Sequence, residues 1–540
     1  MGGSFNAYDY SVLAAYFLLI FGIFIVLYLR DRKKGLGSDS SAYFLGGRDL
    51  SWFIVGASLF ASNIGSEHLV GLAGAGAAGD FPVAQFELLA SFMLLLLAWV
   101  FVPIYLRTGI FTMPQFLEKR YNGWARTYLT WLSIIGYVLT KIALTIMAGG
   151  IIFKALLNID FWFGAIIVVV ATGIYTLFGG LKAVVYTDMV QMFILLGSSI
   201  AITYIGLDKL GGWENMVANA QPGYLDLWRS MDHPDFPWTG ILFGAPILGI
   251  WYWCTDQFIV QRVLAARNLD HARKGGIFAA YLKVLPLFLF VVPGVIAYQL
   301  STGPDAIIRF PIENGKPVYD AALPLLTMQL LPTGLRGLVV AGLLAALMSS
   351  LSSVFNSCST LITIDVYQRR VPEASEKRLV AVGRWATAGL VVLGLAWIPV
   401  LQLLEGGLFQ KLQSLQSYIS PPIASVFLLG IFWKRLNAKG AKYALLSGAV
   451  LGALRLVLEL SQQNWTGFLQ WFVEVNFLHF ALILFLISSL VLVVVSYNSE
   501  AEEDRIGPID SEQKVKTSLT HIAHTLTVVF MVLGLWWYFS

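Results

Sequence analysis

Residues 56–76 read GASLFASNIGSEHLVGLAGAG. They lie inside an apolar run long enough to cross a bilayer. Yet Ser58, Ser62, Asn63, Ser66, Glu67 and His68 crowd its middle, and Gly56, Gly65, Gly71, Gly74 and Gly76 punctuate it. Polar and ionisable groups at membrane depth are costly, so they face a cavity, an ion path or another helix. The glycines suggest an unwound backbone, which survives at that depth only where protein or a water-filled cavity shields it. A broken helix whose free carbonyls hold a cation and whose side chains hold a solute is a transporter device. Taken alone, the glycines also fit a small-residue stripe for close helix packing. Asn63, Glu67 and His68, so close together, tip the reading toward a binding site.

Working outward, composition places the rest of the chain in the membrane. Of 540 residues, 57% are hydrophobic and 13% charged, against about 25% charge in a soluble domain. Apolar runs of spanning length fall near 9–29, 51–76, 83–106, 127–153, 161–178, 186–207, 239–259, 276–300, 322–365, 379–402, 409–433, 440–460, 471–497 and 519–539. The 322–365 run is long enough to include a surface helix ahead of its span. Arg30, Arg32, Lys33 and Lys34 mark the first loop as cytoplasmic, and most basic residues of later loops fall on the same side. Both termini are then expected to be extracytoplasmic. The basic residues are scattered over loops, so nucleic-acid binding is not indicated. Cys254 and Cys358 both fall in apolar runs and form no metal-ligand spacing. No positive charge precedes the first apolar run, so no signal peptide is expected. Asn464-Trp465-Thr466 fits a glycosylation acceptor, a triplet common by chance.

The seventh span repeats the theme. GAPILGIWYWCTDQ, 244–257, sets Gly244, Pro246 and Gly249 ahead of Tyr252 and Trp253. Two interrupted spans in corresponding halves are the sequence pointer to a transporter built from inverted repeats. In the ninth span, AALMSSLSSVFNS at 345–357 puts Ser349, Ser350, Ser352 and Ser353 on neighbouring faces of one helical turn. Hard cations want oxygen ligands, and hydroxyls with free carbonyls supply them. Hydroxyls bonded back to i−4 carbonyls are the alternative. Asp188, in VVYTDMVQ, reads either as an N-cap or as an ion ligand. Lys283 in AAYLKVLPLF and Glu87 in QFELLASF are intramembrane charges that need partners. Together they would donate to and accept from the hydroxyls of a polyol. Phe86, Tyr137, Tyr252, Trp253 and Phe409 are aromatic faces suited to the C–H face of a sugar, though most membrane aromatics are core or interfacial. Lys141, Arg384 and Arg455 are assigned structural roles. No nucleophile elbow, P-loop or metalloprotease motif occurs, so an enzyme is not expected.

Seven stretches together resemble the sodium/glucose cotransporters of the solute:sodium symporter family over nearly the whole chain. They are 56–74, FVPIYLRTGIFTMPQFLEKRY (101–121), GGLKAVVYTDMVQ (179–191), WYWCTDQFIVQRVLAARN (251–268), AAYLKVLPLF (279–288), GLLAALMSSLSSVFNSCSTL (342–361) and SYISPPIASVFLLGIFWKR (417–435). The resemblance implies an all-α fold of about fourteen transmembrane helices with an inverted five-plus-five repeat and alternating access. The chain is then one transporter domain: an extra helix at 9–29, repeats at about 51–207 and 239–433, and extra helices over 440–539. It also implies a first sodium site on Ala61, Ile64, Ala346, Ser349 and Ser350, and a second on Asp188, Ser349, Ser350, Ser352 and Ser353. Sugar contacts fall on Asn63, His68, Glu87, Tyr137, Trp253, Lys283 and Gln413, the inner gate on Tyr252, and the outer gate on Leu72, Phe86 and Phe409. Against the family pattern, Leu88-Leu89 follow Glu87, Gly249 stands three residues before Tyr252, and Gln416 replaces a common Thr.

The expected activity is sodium-coupled symport of a hexose, glucose or galactose, with two Na+ per sugar. Inositol or another polyol, and a sugar-gated sensor or channel without coupled transport, are the alternatives. The expected partners are the sugar, sodium and the lipid bilayer, with the chain working as a monomer. The long cysteine-bearing outer loops of animal members are missing, so a bacterial inner membrane is the expected location.

Overall fold

Inside hydrocarbon a backbone N–H or C=O has no water to bond, so apolar runs close on themselves as helices. A computed structural model describes residues 5–33, 39–302, 306–313, 315–401, 408–461, 465–501 and 518–540. The glycosylation triplet begins at Asn464, outside the described residues. Among them, 11 helices are long and apolar enough to cross a membrane, and Trp52–Asn63, His68–Ala78 and Gly240–Thr255 are shorter apolar helices. A small hairpin, Ile312–Glu313 against Lys316–Pro317, lies in the connection after Val292–Leu300, and Ala322–Leu330 is a separate helix ahead of the one starting at Leu335. Large apolar side chains line the outside. Ile166, Val170, Ile174 and Phe178, four residues apart, are all about two-fifths exposed and form one lipid-facing stripe of their helix.

One boundary differs from expectation. The runs 161–178 and 186–207 form two helices that meet without an intervening loop inside Phe161–Leu210, at Gly180, whose φ 56°, ψ −161° is not helical. That conformation favours glycine, and the Tyr43 carbonyl packs where a β-carbon would sit. The kink therefore needs no loop. It also decides the local role of Asp188, which lies fully buried inside the helix and does not cap its start.

The centre of the molecule is Leu335–Thr360. It packs along Phe161–Leu210 and against Trp52–Asn63, which in turn packs on Leu269–Leu282. The first helix, Ala7–Lys33, secures this arrangement from outside. Its buried Asp9 accepts hydrogen bonds from the backbone N–H of Gly334 (2.7 Å) and Gly337 (3.1 Å). Those are orphan donors at the start of the central helix, and a carboxylate there complements the helix dipole. Leu408–Phe432, Ala438–Leu460 and Phe477–Tyr497 pack together beside this core.

Candidate functional site

Two helices break at the centre of the bundle. The first runs Trp52–Asn63, leaves helical geometry at Ile64 (φ −82°, ψ 98°) and Gly65, and resumes as Ser66–Ala78. The second reaches Thr255, turns extended at Asp256 (φ −79°, ψ 129°) and resumes as Gln257–Leu264. Asn63 closes the first half of one, and Tyr252 and Trp253 lie just ahead of the other break. A cavity of about 620 Å³ opens between them, lined by Asn63, His68, Phe86, Glu87, Tyr252 and Trp253 with Lys141, Met93 and Gln416.

The cavity's charge is balanced by burial in pairs. Lys283 stands where Leu269–Leu282 ends, three residues before Pro286, whose missing N–H and ring interrupt the helix. Fully buried, it donates to Glu87 Oε2 and Asn63 Oδ1, with its ammonium 5.1 Å from the Trp253 ring centroid. The Asn63 amide in turn donates to the Tyr252 hydroxyl at 3.0 Å, which also accepts from Lys141 Nζ at 3.0 Å. His68 accepts from the Gly65 N–H through Nδ1 at 3.4 Å, which ties its ring to the break. The wall is thus a chain of donors and acceptors, Glu87–Lys283–Asn63–Tyr252–Lys141, beside an indole face.

The cation-binding candidates meet on the opposite side of the first break. Ser349 Oγ donates to the Ala61 carbonyl (2.8 Å) and the Ala346 carbonyl (3.1 Å), and Ser350 Oγ to the Ser62 carbonyl (3.1 Å). Ile64 carries the break itself. Hydroxyl and carbonyl oxygens converge there with no carboxylate among them, a donor set that fits a hard monovalent cation. Asp188 accepts from Ser58 Oγ at 2.6 Å and Ser62 Oγ at 3.5 Å, and faces Arg262 Nη2 at 4.0 Å. Its other oxygen has no hydrogen-bond partner among the described residues, and neither has Ser353 Oγ. Ser352 Oγ bonds back to Ser349 O at 3.0 Å. Ser62 joins the two sets, its carbonyl to Ser350 and its hydroxyl to Asp188.

Not every expected residue enters this cavity. The Tyr137 hydroxyl donates to Asp256 and accepts from Phe258 N at 3.2 Å. Tyr137 lines a neighbouring space of about 550 Å³ with Asp256, Trp251 and Ile419, which shares Lys141 and Gln416 with the first. Leu72 is buried in Ser66–Ala78 away from the lining. Phe409 and Gln413 fall outside the residues whose side chains are described.

The profile of the Sodium:solute symporter family matches residues 43–448. The chain belongs to that family. It is therefore a secondary transporter, not an enzyme, and Na+ is its coupling ion. Among curated proteins, Sodium/glucose cotransporter 4 of Mus musculus is 40% identical over 92% of this chain and 76% of its own length. Sodium/glucose cotransporter 1 of Oryctolagus cuniculus is 40% identical over 91% of this chain and 79% of its own. Sodium/myo-inositol cotransporter 2 of Homo sapiens is 43% identical over 84% and 70%. A solved Na+-coupled sialic acid symporter, bound to its substrate in an outward-open state, superposes with a TM-score of 0.79 at 20% identity, covering 93% of this chain and 100% of that one. That likeness establishes the fold.

Lys141, given a structural role by default above, borders the candidate site. A lysine in the middle of a span is by default a functional candidate, and that signal was available. The structure sets its ammonium 3.0 Å from the Tyr252 hydroxyl and 3.4 Å from the Phe258 ring centroid, on the wall between the two cavities. Arg262 was also missed. It is fully buried, donates to Ser62 Oγ at 2.8 Å and faces Asp188.

Proposed function

We propose that the chain carries a hexose, glucose or galactose, into the cell with sodium. The observation that carries this is the buried Glu87–Lys283–Asn63 linkage beside Trp253 in the cavity wall. It offers a carboxylate acceptor, an ammonium donor and an amide to neighbouring hydroxyls, and an indole to the ring's C–H face. Two relatives that bear glucose in their names support the choice.

Sodium on Ala61, Ile64, Ala346, Ser349 and Ser350 would hold the first broken helix against the central helix and favour an outward-open cavity. Sugar would then engage Asn63, His68, Glu87, Trp253, Lys283 and Gln413, with Tyr137 contributing from the adjoining space. Leu72, Phe86 and Phe409 would close outside and Tyr252 inside. Ligands shift these states only through their different affinity for each. A second ion on Asp188, Ser349, Ser350, Ser352 and Ser353 gives two Na+ per sugar. A tenfold gradient supplies about 1.4 kcal/mol per ion, and 100 mV about 2.3 kcal/mol per charge. Each ion then supports roughly 500-fold accumulation. We further assign fourteen membrane crossings, counting Phe161–Leu210 as two, in an inverted five-plus-five repeat (about 51–207 and 239–433) with extra helices at 9–29 and 440–539. The protein works as a monomer in a bacterial inner membrane with both termini extracytoplasmic.

A second substrate reading is inositol or a related polyol, favoured by the human myo-inositol cotransporter at 43% identity. Uptake of labelled glucose, galactose and myo-inositol into proteoliposomes, with an inward sodium gradient against a potassium control, tests both. Sodium-dependent accumulation of a hexose is expected. Accumulation of myo-inositol alone would replace the substrate, and binding without accumulation would replace symport with sensing.

A further inference from the structure

The helix Leu519–Tyr538 stands at the edge of the bundle. Ile522, Leu526, Phe530, Leu533 and Trp537, at three- or four-residue steps, form its exposed stripe. Its other face carries polar groups that packing does not require, and they reach two helices. Trp536 Nε1 donates to Gln85 Oε1 at 2.6 Å, and Thr525 Oγ1 accepts from Trp99 Nε1 at 3.0 Å. Both partners lie along Phe81–Thr108. The Tyr281 hydroxyl, in Leu269–Leu282, donates to His524 O at 3.1 Å and lies 3.1 Å from His524 Nδ1. His521 Nε2 lies 3.2 Å from Asp270 Oδ1 of that same helix.

The two gripped helices are those that lead to the charged pair of the cavity wall. Gln85 stands two residues before Glu87, and Tyr281 two residues before Lys283. Residues two apart on a helix do not share a face, so Gln85 anchors the backbone from behind while Glu87 faces the cavity. Gln85 is fully buried and lies outside the cavity lining, which takes in Phe86 and Glu87. A ring of bonds fixes it. Its Nε2 donates to Leu227 O at 3.4 Å, and the Leu227 N–H donates to Phe539 O at 2.9 Å, three residues beyond Trp536. The two helices also meet directly, with Ser91 Oγ donating to Ala280 O at 2.9 Å. Polar groups at membrane depth are expensive unless paired, and hydrogen bonds between helices fix how one sits along another.

We propose that Leu519–Tyr538 is a strut that sets the register between the helix of Glu87 and the helix leading to Lys283, with Trp536 and Gln85 as positioning residues for the solute site. A slide of one helix along the other would part Glu87 from Lys283 and carry both away from the solute's hydroxyls. Trp536 and Gln85 act through Glu87, by fixing where its carboxylate stands. The proposal rests on the reading of Glu87 and Lys283 as solute contacts.

The test uses the full chain in proteoliposomes with labelled glucose or myo-inositol, whichever the parent accumulates, and the monodeoxy forms of that solute. A site that hydrogen-bonds a hydroxyl discriminates against the analogue lacking it. Trp536→Phe keeps an aromatic ring and removes the donor, and Gln85→Leu removes the acceptor. Each should raise the solute concentration for half-maximal uptake about tenfold. Each should also cut discrimination against the most disfavoured deoxy form about fivefold, with the half-saturating sodium concentration within about twofold of the parent's. The double variant should add little to either single one, because both lose the same bond. A merely structural role lowers the amount of working protein, which scales every solute alike and leaves the discrimination ratio fixed. Trp537→Phe, on the exposed stripe, should match the parent. Parent-like discrimination in both Trp536→Phe and Gln85→Leu, or an equal fall in Trp537→Phe, overturns the strut. A parent that accumulates neither solute would instead overturn the symport reading beneath it.

Discussion

The two broken helices answer the same problem with different chemistry. At Ile64–Gly65 the freed backbone is met by hydroxyls of another helix, Ser349 on Ala61 O and Ser350 on Ser62 O, and a cation could replace those protons. At Asp256 the break is sealed by its own side chain. Asp256 Oδ1 accepts from Phe258 N at 3.2 Å, caps the following helix, and takes the Tyr137 hydroxyl as well. One break is left adjustable and exchangeable; the other is tied shut by a local cap and a neighbouring phenol. The first therefore suits ligand-dependent closure, and the second suits a fixed floor on which Tyr252 and Trp253 stand.

Gly65 sits at the first break, but other glycines of the two stretches do other work. Gly56 and Gly76 of the first stretch meet Gly275 O and Val291 O, and Gly244 of the second meets Leu478 O, where a β-carbon would clash. They allow neighbouring helices to approach closely. The second interruption therefore falls not at Gly244, Pro246 or Gly249 but at Asp256, where an N-cap begins a new helix.

The largest expected effect tests the wall that both breaks share. Glu87→Ala leaves Lys283 buried without its carboxylate, a loss of about 3–5 kcal/mol in such pairs. Concentrative uptake in proteoliposomes should be abolished while the protein still reaches the membrane, and normal uptake would remove Glu87 from the site. Next, Ser349→Ala should weaken the adjustable break alone, raising the sodium concentration for half-maximal uptake about tenfold or more with little change in thermal stability. Asp256→Ala should do the reverse, lowering stability by about 1–2 kcal/mol through the lost cap and the stranded phenol with sodium dependence near the parent's. If both variants shift sodium dependence equally, the contrast between the breaks fails.

The smallest effect concerns pH at the Gly79 end of the first broken helix. Asp80 follows the Gly79 cap beside Asp235. Burial and that neighbouring charge push its carboxyl up to about 6, against a smaller opposing effect of Arg229. A raised folded-state value means that stability from this group is fully present below its ordinary value, near 4, and is lost as pH rises through about 6. Melting temperatures measured from pH 4 to 7 should fall more in the parent than in Asp80→Asn, whose profile should be flatter; parallel profiles would remove Asp80 as the cause.

Much of the site was legible because membrane depth makes polar residues informative. Asn63, His68, Glu87, Lys283 and the serines of 349–353 stand out against hydrocarbon, and the structure sets Asn63, His68 and Glu87 around one cavity with Lys283 bonded behind them. Tyr137 did not follow, because an aromatic at a span's centre gives no clue to which of two adjoining spaces it faces. Lys141 and Arg262 were passed over for a related reason. Whether a buried cation is structural or part of a site depends on what lies across from it, which spacing along one helix does not contain.

The sequence by itself determined the membrane class, the helices, the family and the residue types at the site, since hydropathy and buried charge are local properties with a steep energetic cost. Only the tertiary structure decided where the second helix breaks, that two helices meet at Gly180 without a loop, and that Asp188 meets Ser58, Ser62 and Arg262. Those outcomes depend on contacts between residues far apart in the chain, where close backbone approach and the pairing of buried polar groups select one arrangement.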